Sequence, residues 1–100
     1  MRTVPYPTPG EILLEEFLKP LEITPYRLAK EIGVSATRIG DIIAGNRAVT
    51  ADTGLRLAKF FGTTEGFWTG LQDDHDRAMV KDDIAKDLES IKRWDAAHAA

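Results

Sequence analysis

Residues Pro25–Gly45 read PYRLAKEIGVSATRIGDIIAG, and the fold follows from how this stretch divides. Thr24 stands before it as a helix N-cap, and Pro25 takes the first helical position, where a missing N–H costs nothing. Leu28, Ala29 and Ile32 follow at helical spacing. Gly33 falls where a left-handed residue would stop that helix. After Val34, Ser35 is a second N-cap. Ile39, Ile42 and Ile43 then form a new apolar stripe that Gly45 ends. Two short helices joined by a tight, glycine-containing turn make a helix-turn-helix. Ala29 is small enough for the second helix to cross the first. Leu28, Ile32, Val34, Ile39 and Ile42 are spaced to pin both helices to a core.

A helical hairpin in any bundle shares part of this pattern. The second helix favours DNA, because Ala36, Thr37, Arg38, Gly40 and Asp41 keep one face polar and short. At about 100° per residue, Thr37 and Asp41 share that face, with Arg38 beside them. Side chains this small let a helix enter a major groove about 12 Å wide. Ala36, Thr37, Arg38 and Asp41 are therefore expected at base edges. Arg38 is placed for a bidentate guanine contact, or else is solvated or paired with Asp41. Arg47, just after the helix, reaches the groove edge or a phosphate. Tyr26, Arg27, Ser35 and Asn46 are candidates for the phosphate side, with capping or plain surface roles as the alternative.

Outward from this unit, an arm over residues 1–7 holds Pro5 and Pro7 and reads as extended and mobile. Thr8, Pro9 and Glu11 spell a capping box opening a helix that carries Ile12, Leu13, Phe17 and Leu18, with Pro20 as its stop. Thr50 caps a fourth helix that runs to Gly62, and Thr64 caps a short fifth with Phe67, Trp68 and Leu71. From Asp73 to Trp94 the chain is highly charged but keeps Ala78, Ile84, Leu88, Ile91 and Trp94 near helical steps, which predicts one long amphipathic helix. Asp95–Ala100 are expected to fray. Period-two alternation persists nowhere, so the fold class is all-α: five helices and a long C-terminal helix. The domain division expected is 1–7 arm, 8–72 DNA-binding domain, and 73–100 C-terminal helix and tail.

The net charge is −3, which argues against DNA until it is mapped. Residues 1–23 carry −2, residues 24–62 carry +3, and residues 63–100 carry −4. The basic groups Arg27, Lys30, Arg38, Arg47, Arg56 and Lys59 thus lie between two acidic flanks. Such a balance predicts weak, salt-sensitive non-specific binding and a need for base contacts. No apolar run approaches the roughly 20 residues that span a bilayer. The chain has no cysteine, and Met1–Pro5 lack the apolar core of a signal peptide, so a cytoplasmic protein is expected.

Chemistry of other kinds finds little support. Asp73-Asp74-His75-Asp76 resembles a metal cluster, but consecutive helical residues diverge by about 100°. A solvated acidic helix start suits them better. His98 lies in the fraying tail. Gly62-Thr63-Thr64-Glu65-Gly66 lacks the lysine of a phosphate loop. No metal, cofactor or enzymatic activity is expected. Phe67 and Trp68 are adjacent and cannot both face one core easily. Helix-turn-helix proteins of this size dimerise to match two half-sites. Phe67, Trp68 and Leu71, with Ile84, Leu88 and Ile91, are therefore the expected dimer interface, and a palindromic operator the expected target.

Ala29-Lys30-Glu31-Ile32-Gly33-Val34-Ser35 resembles the phage-repressor (Cro/C1-type, XRE) domain. Pro9 to Leu18 precedes it, Leu55 to Thr64 follows it, then Phe67-Trp68 and Leu71-Gln72; together these resemble HigA-type antitoxins over about residues 8–76. The resemblance implies a phage-repressor-like fold. It also implies a dimer that binds its own operator and neutralises a basic, mRNA-cleaving ribonuclease toxin. Two positions depart from the pattern. Glu22 stands where the family usually has glycine. Pro25 stands where phage repressors often place a glutamine that braces a phosphate and a base contact, which moves base reading onto the second helix. A stand-alone XRE regulator without a toxin is the alternative within the fold. A protein-interaction module using the acidic C-terminal helix is the alternative outside DNA binding.

Overall fold

The computed structural model describes residues 6–95. Among them every regular element is helical. We number the helices α1 (the continuous segments Pro9–Ile12, Leu13–Leu18 and Lys19–Leu21), α2 (Pro25–Ile32), α3 (Ala36–Ile43), α4 (Ala51–Phe61), α5 (Phe67–Asp83) and α6 (Ala85–Ser90). The expected capping box is present: the Glu11 N–H donates to Thr8 Oγ1 at 3.1 Å, and Glu11 reaches back to the Thr8 N–H.

Pro20 does not end α1. The helix widens to a π turn over Leu13–Leu18, where the Lys19 N–H bonds to the Leu14 carbonyl five residues back. That widening relieves the clash a proline makes with the preceding turn, so the rod continues to Leu21. It closes on Glu22, which adopts the left-handed conformation at φ 55°. The turn usually made by glycine is therefore kept by a residue with a Cβ, at a cost of about 1 kcal/mol.

The helix-turn-helix forms where expected. Gly33 is left-handed (φ 76°), and the Gly33 and Val34 N–H groups both reach the Ala29 carbonyl at 3.0 Å. Ala29 is buried at the crossing, so α2 and α3 approach closely. Leu13, Leu18, Leu28, Ile32, Ile39, Ile42, Val49, Leu57, Ala58 and Trp68 complete one core. Gly10 lets α1 pass close to α3: a Cβ there would lie 1.8 Å from the Ile42 carbonyl oxygen.

The C-terminal half departs from expectation in three ways. Thr64 does not cap α5; its carbonyl accepts the Phe67 N–H, and Gly66 is the N-cap. The predicted fifth helix and the start of the tail are one helix, so position 72/73 lies mid-helix. Asp73, Asp74, His75 and Asp76 therefore do not start a helix. Asp73 and Asp74 pair with Arg77, and Asp76 accepts from Gln72. The break comes instead at Ile84 (φ −109°, ψ 21°). Asp82 and Asp83 there sit at the negative C-terminal end of α5, which disfavours continuation. After α6, Ile91 is extended, so the single helix expected to Trp94 is two helices and an extended end. Of the arm, residues 1–5 lie outside the described residues. Tyr6 is tied to α5 through its hydroxyl to Asp82 (3.2 Å) and its carbonyl to His75 Nδ1 (3.0 Å). His98 and most of the expected frayed end also lie outside. No helix among the described residues is long and apolar enough to cross a membrane.

Candidate nucleic-acid interface

Ser35 Oγ accepts the Arg38 N–H at 3.0 Å and starts α3. Ile39 and Ile42 are fully buried on its inner side. Ser35, Ala36, Thr37, Gly40 and Ala44 are exposed on the outer side, with Arg38 and Asp41 partly so. The outer face is thus as low as its sequence suggested. Gly40 was the residue undervalued in it. A Cβ there meets nothing within 4 Å, so no steric contact among the described residues requires a glycine in mid-helix. The signal was present in sequence: an interior helix glycine costs up to about 1 kcal/mol.

Arg38 does not pair with Asp41, and it is only partly exposed. Its guanidinium turns back to α4, 3.4 Å from Asp52 Oδ1 and 3.4 Å from Thr53 Oγ1. Asp52 also accepts Arg56 Nε at 2.8 Å, and Arg56 Nη1 donates to the Ile32 carbonyl at 2.8 Å. Arg56 thereby satisfies an orphan carbonyl at the end of α2. The chain Arg38–Asp52–Arg56–Ile32 braces α3, α4 and the turn as one unit. The Arg56 hydrogen bond first, helped by the charges of Arg56 and Arg38, holds the Asp52 carboxyl below its usual range against the opposing effect of desolvation. Neither Asp52 nor Arg56 was singled out from sequence, although their i,i+4 spacing was legible.

Asp41 pairs with Arg47 at 3.6 Å, both half-exposed, and this ties the helix to the residue expected beyond it. The Asn46 N–H bonds to the Asp41 carbonyl at 2.8 Å, so Asn46 serves the turn while its side chain stays exposed. Arg27 pairs with Glu31 at 2.6 Å, and Tyr26 is exposed at the start of α2. The basic character of this face is therefore held in pairs. A phosphate must compete with Asp52, Asp41 or Glu31 for each arginine.

Helix-turn-helix family HTH_3 matches residues 14–68. The chain belongs to that family. Over 75 residues this helix-turn-helix chain is 44% identical to virulence-associated protein I of Dichelobacter nodosus, covering 75% of the chain and 69% of that protein. It spans from 58% to 69% of the length of the first curated relatives it matches. Among solved structures it is similar to the Pseudomonas aeruginosa antitoxin HigA with the higBA promoter. The TM-score is 0.81 at 35% identity, covering 87% of this chain and 96% of that one. It is also similar to an addiction-module antidote protein of the HigA family from Coxiella burnetii. There the TM-score is 0.83 at 40% identity, covering 91% and 100%.

The expected dimer interface needs one correction. Trp68 is fully buried in its own chain, its ring 4.8 Å from Phe17 and 5.9 Å from Phe61 between centroids. Its indole N–H is buried without a hydrogen-bond partner. Of the two adjacent aromatic residues, Trp68 is the inward one and has no face left for a partner chain. Phe67, Leu71 and Ile84 are half-exposed, and Leu88 and Ile91 are exposed.

Proposed function

We propose that this chain is the antitoxin and autorepressor of a toxin–antitoxin pair, a cytoplasmic, non-enzymatic protein that binds palindromic operator DNA as a dimer. The observation that carries the reading is the outer face of α3. It is exposed, bare at Gly40 and no longer than threonine at Ala36 and Thr37, while Ile39 and Ile42 lock its back to the core. Likeness to the HigA protein described with its promoter supports the same reading.

Ala36, Thr37, Arg38, Asp41 and Arg47 then face base edges, with Arg38 leaving Asp52 and Arg47 leaving Asp41 as the groove closes on them. Ser35 keeps its cap and still has a hydroxyl proton to donate to a phosphate. Tyr26, Arg27 and Asn46 flank it on the phosphate side. Residues 8–72 carry DNA binding. Residues 73–100 carry association, together with Phe67 and Leu71. The toxin partner is a basic ribonuclease, matched by the −4 charge of residues 63–100. The test is twofold. The chain should shift DNA from its own promoter region, and it should co-purify with the product of a neighbouring small basic reading frame. Promoter binding without any such partner leaves a stand-alone regulator. Failure to bind any DNA, its own promoter region included, leaves a protein-interaction module using the acidic C-terminal helix.

A further inference from the structure

A groove of about 720 Å³ opens between α1 and α5. Ile12, Phe17, Phe67 and Leu71 line it, and Glu15 and Glu16 lie on its rim. Ile12 is about 200° around α1 from Gly10, the residue that touches the reading helix, so the groove does not compete with DNA. An apolar groove with a carboxylate rim fits a segment that is basic and apolar together.

The chain carries such a segment at the far end of its C-terminal arm. Ile91-Lys92-Arg93-Trp94 follows α6 outside any helix, starting from an extended Ile91, with Ile91 67% and Trp94 68% exposed. Met79 and Val80 add exposed apolar surface to the same arm. Gly70 is a mid-helix glycine whose Cβ would meet nothing within 4 Å among the described residues, which leaves α5 bare between Phe67 and Leu71.

We propose that the Ile91–Trp94 segment of one copy seats in the α1–α5 groove of a second copy, reciprocally, with Lys92 and Arg93 over the carboxylate rim. The occupant is a second copy because the complementary charge and the exposed apolar ends, Ile91 and Trp94, belong to this chain. An isologous contact of this kind closes on itself and forms no open chain of subunits. The inference rests on the dimer reading above and says how the dimer is held.

The chain has no cysteine, which permits a clean test. Glu16→Cys and Arg93→Cys both replace exposed residues. The two variants are mixed, allowed to exchange subunits, and treated with a short bismaleimide. The mixture should give covalent dimer at least about tenfold faster than either variant alone, and Trp94→Ala should weaken dimerisation at least about tenfold in sedimentation. If the wild type sediments as a dimer but the mixture does not cross-link, the groove contact is wrong and the dimer reading stands. A groove whose Glu16→Cys thiol stays equally reactive in the dimer is open for a basic partner instead, and that too overturns the proposal. A wild-type monomer at micromolar concentration overturns both readings.

Discussion

Replacing Gly10 by alanine tests how the reading helix is held. The new Cβ would lie 1.8 Å from the Ile42 carbonyl oxygen, 2.6 Å from its carbon and 2.8 Å from the Ile43 Cα. Real Cβ contacts essentially never fall under 3.0 Å, so α1 and α3 must part by at least about 1.2 Å. All three atoms are backbone, and no side-chain rotation relieves them. Leu13, Ile39 and Ile42, each nearly or fully buried, flank this contact. A gap of about 1 Å forfeits up to about half of the dispersion contact across it. The expected loss is about 3 kcal/mol, the upper range for overpacking, which is roughly 12–24 °C in Tm for a domain of this size. The clash bears on α3 itself, so operator affinity should fall at least about tenfold even where the variant is folded. Urea unfolding by circular dichroism and fluorescence anisotropy on promoter DNA read the two effects. A loss below about 1 kcal/mol with operator affinity intact would refute the claim that Gly10 sets the seat of α3.

The same substitution on the outer face of α3, away from Gly10, should have the opposite sign. Gly40→Ala adds a Cβ into open space, so the free protein should gain up to about 1 kcal/mol while operator binding weakens; lower stability in denaturant would contradict this. Trp68→Ala should cost about 3–5 kcal/mol, independent of protein concentration, because the ring packs in its own chain. A concentration-dependent loss would return it to the interface. Asp52 has a folded-state pKa below its unfolded value, so its contribution is present above about pH 4 and is lost as pH falls through the depressed value. Asp52→Asn should therefore flatten stability against pH below about pH 4 and leave the alkaline limb unchanged; an unchanged acid limb would discount the Arg38–Asp52–Arg56 brace.

The features legible in the sequence were local. Thr8, Thr24 and Ser35 cap their helices, and Gly33 makes the turn, because each effect acts within four residues. The features that escaped depended on contacts between distant residues or on winding outside the α-helix. Pro20 reads as a stop only while the helix stays α; a π turn admits it. Glu22 reads as a misfit until the surrounding packing forces it left-handed. Arg38 meets Asp52 fourteen residues away, a contact that requires α3 and α4 to be docked. Phe67 and Trp68 compete for one core. That the indole rather than the phenyl ring takes the fully buried place is a property of packing, not of spacing.

The central claim is that the outer face of α3 reads the operator. Its most direct test is binding of Arg38→Ala and the wild type to promoter DNA and to a set carrying every single base-pair change. The variant should lose preference at one guanine-containing pair in each half-site, by roughly 1–3 kcal/mol, and keep it elsewhere. Undiminished affinity with the same preference at every position would contradict the claim and place base reading on some other surface.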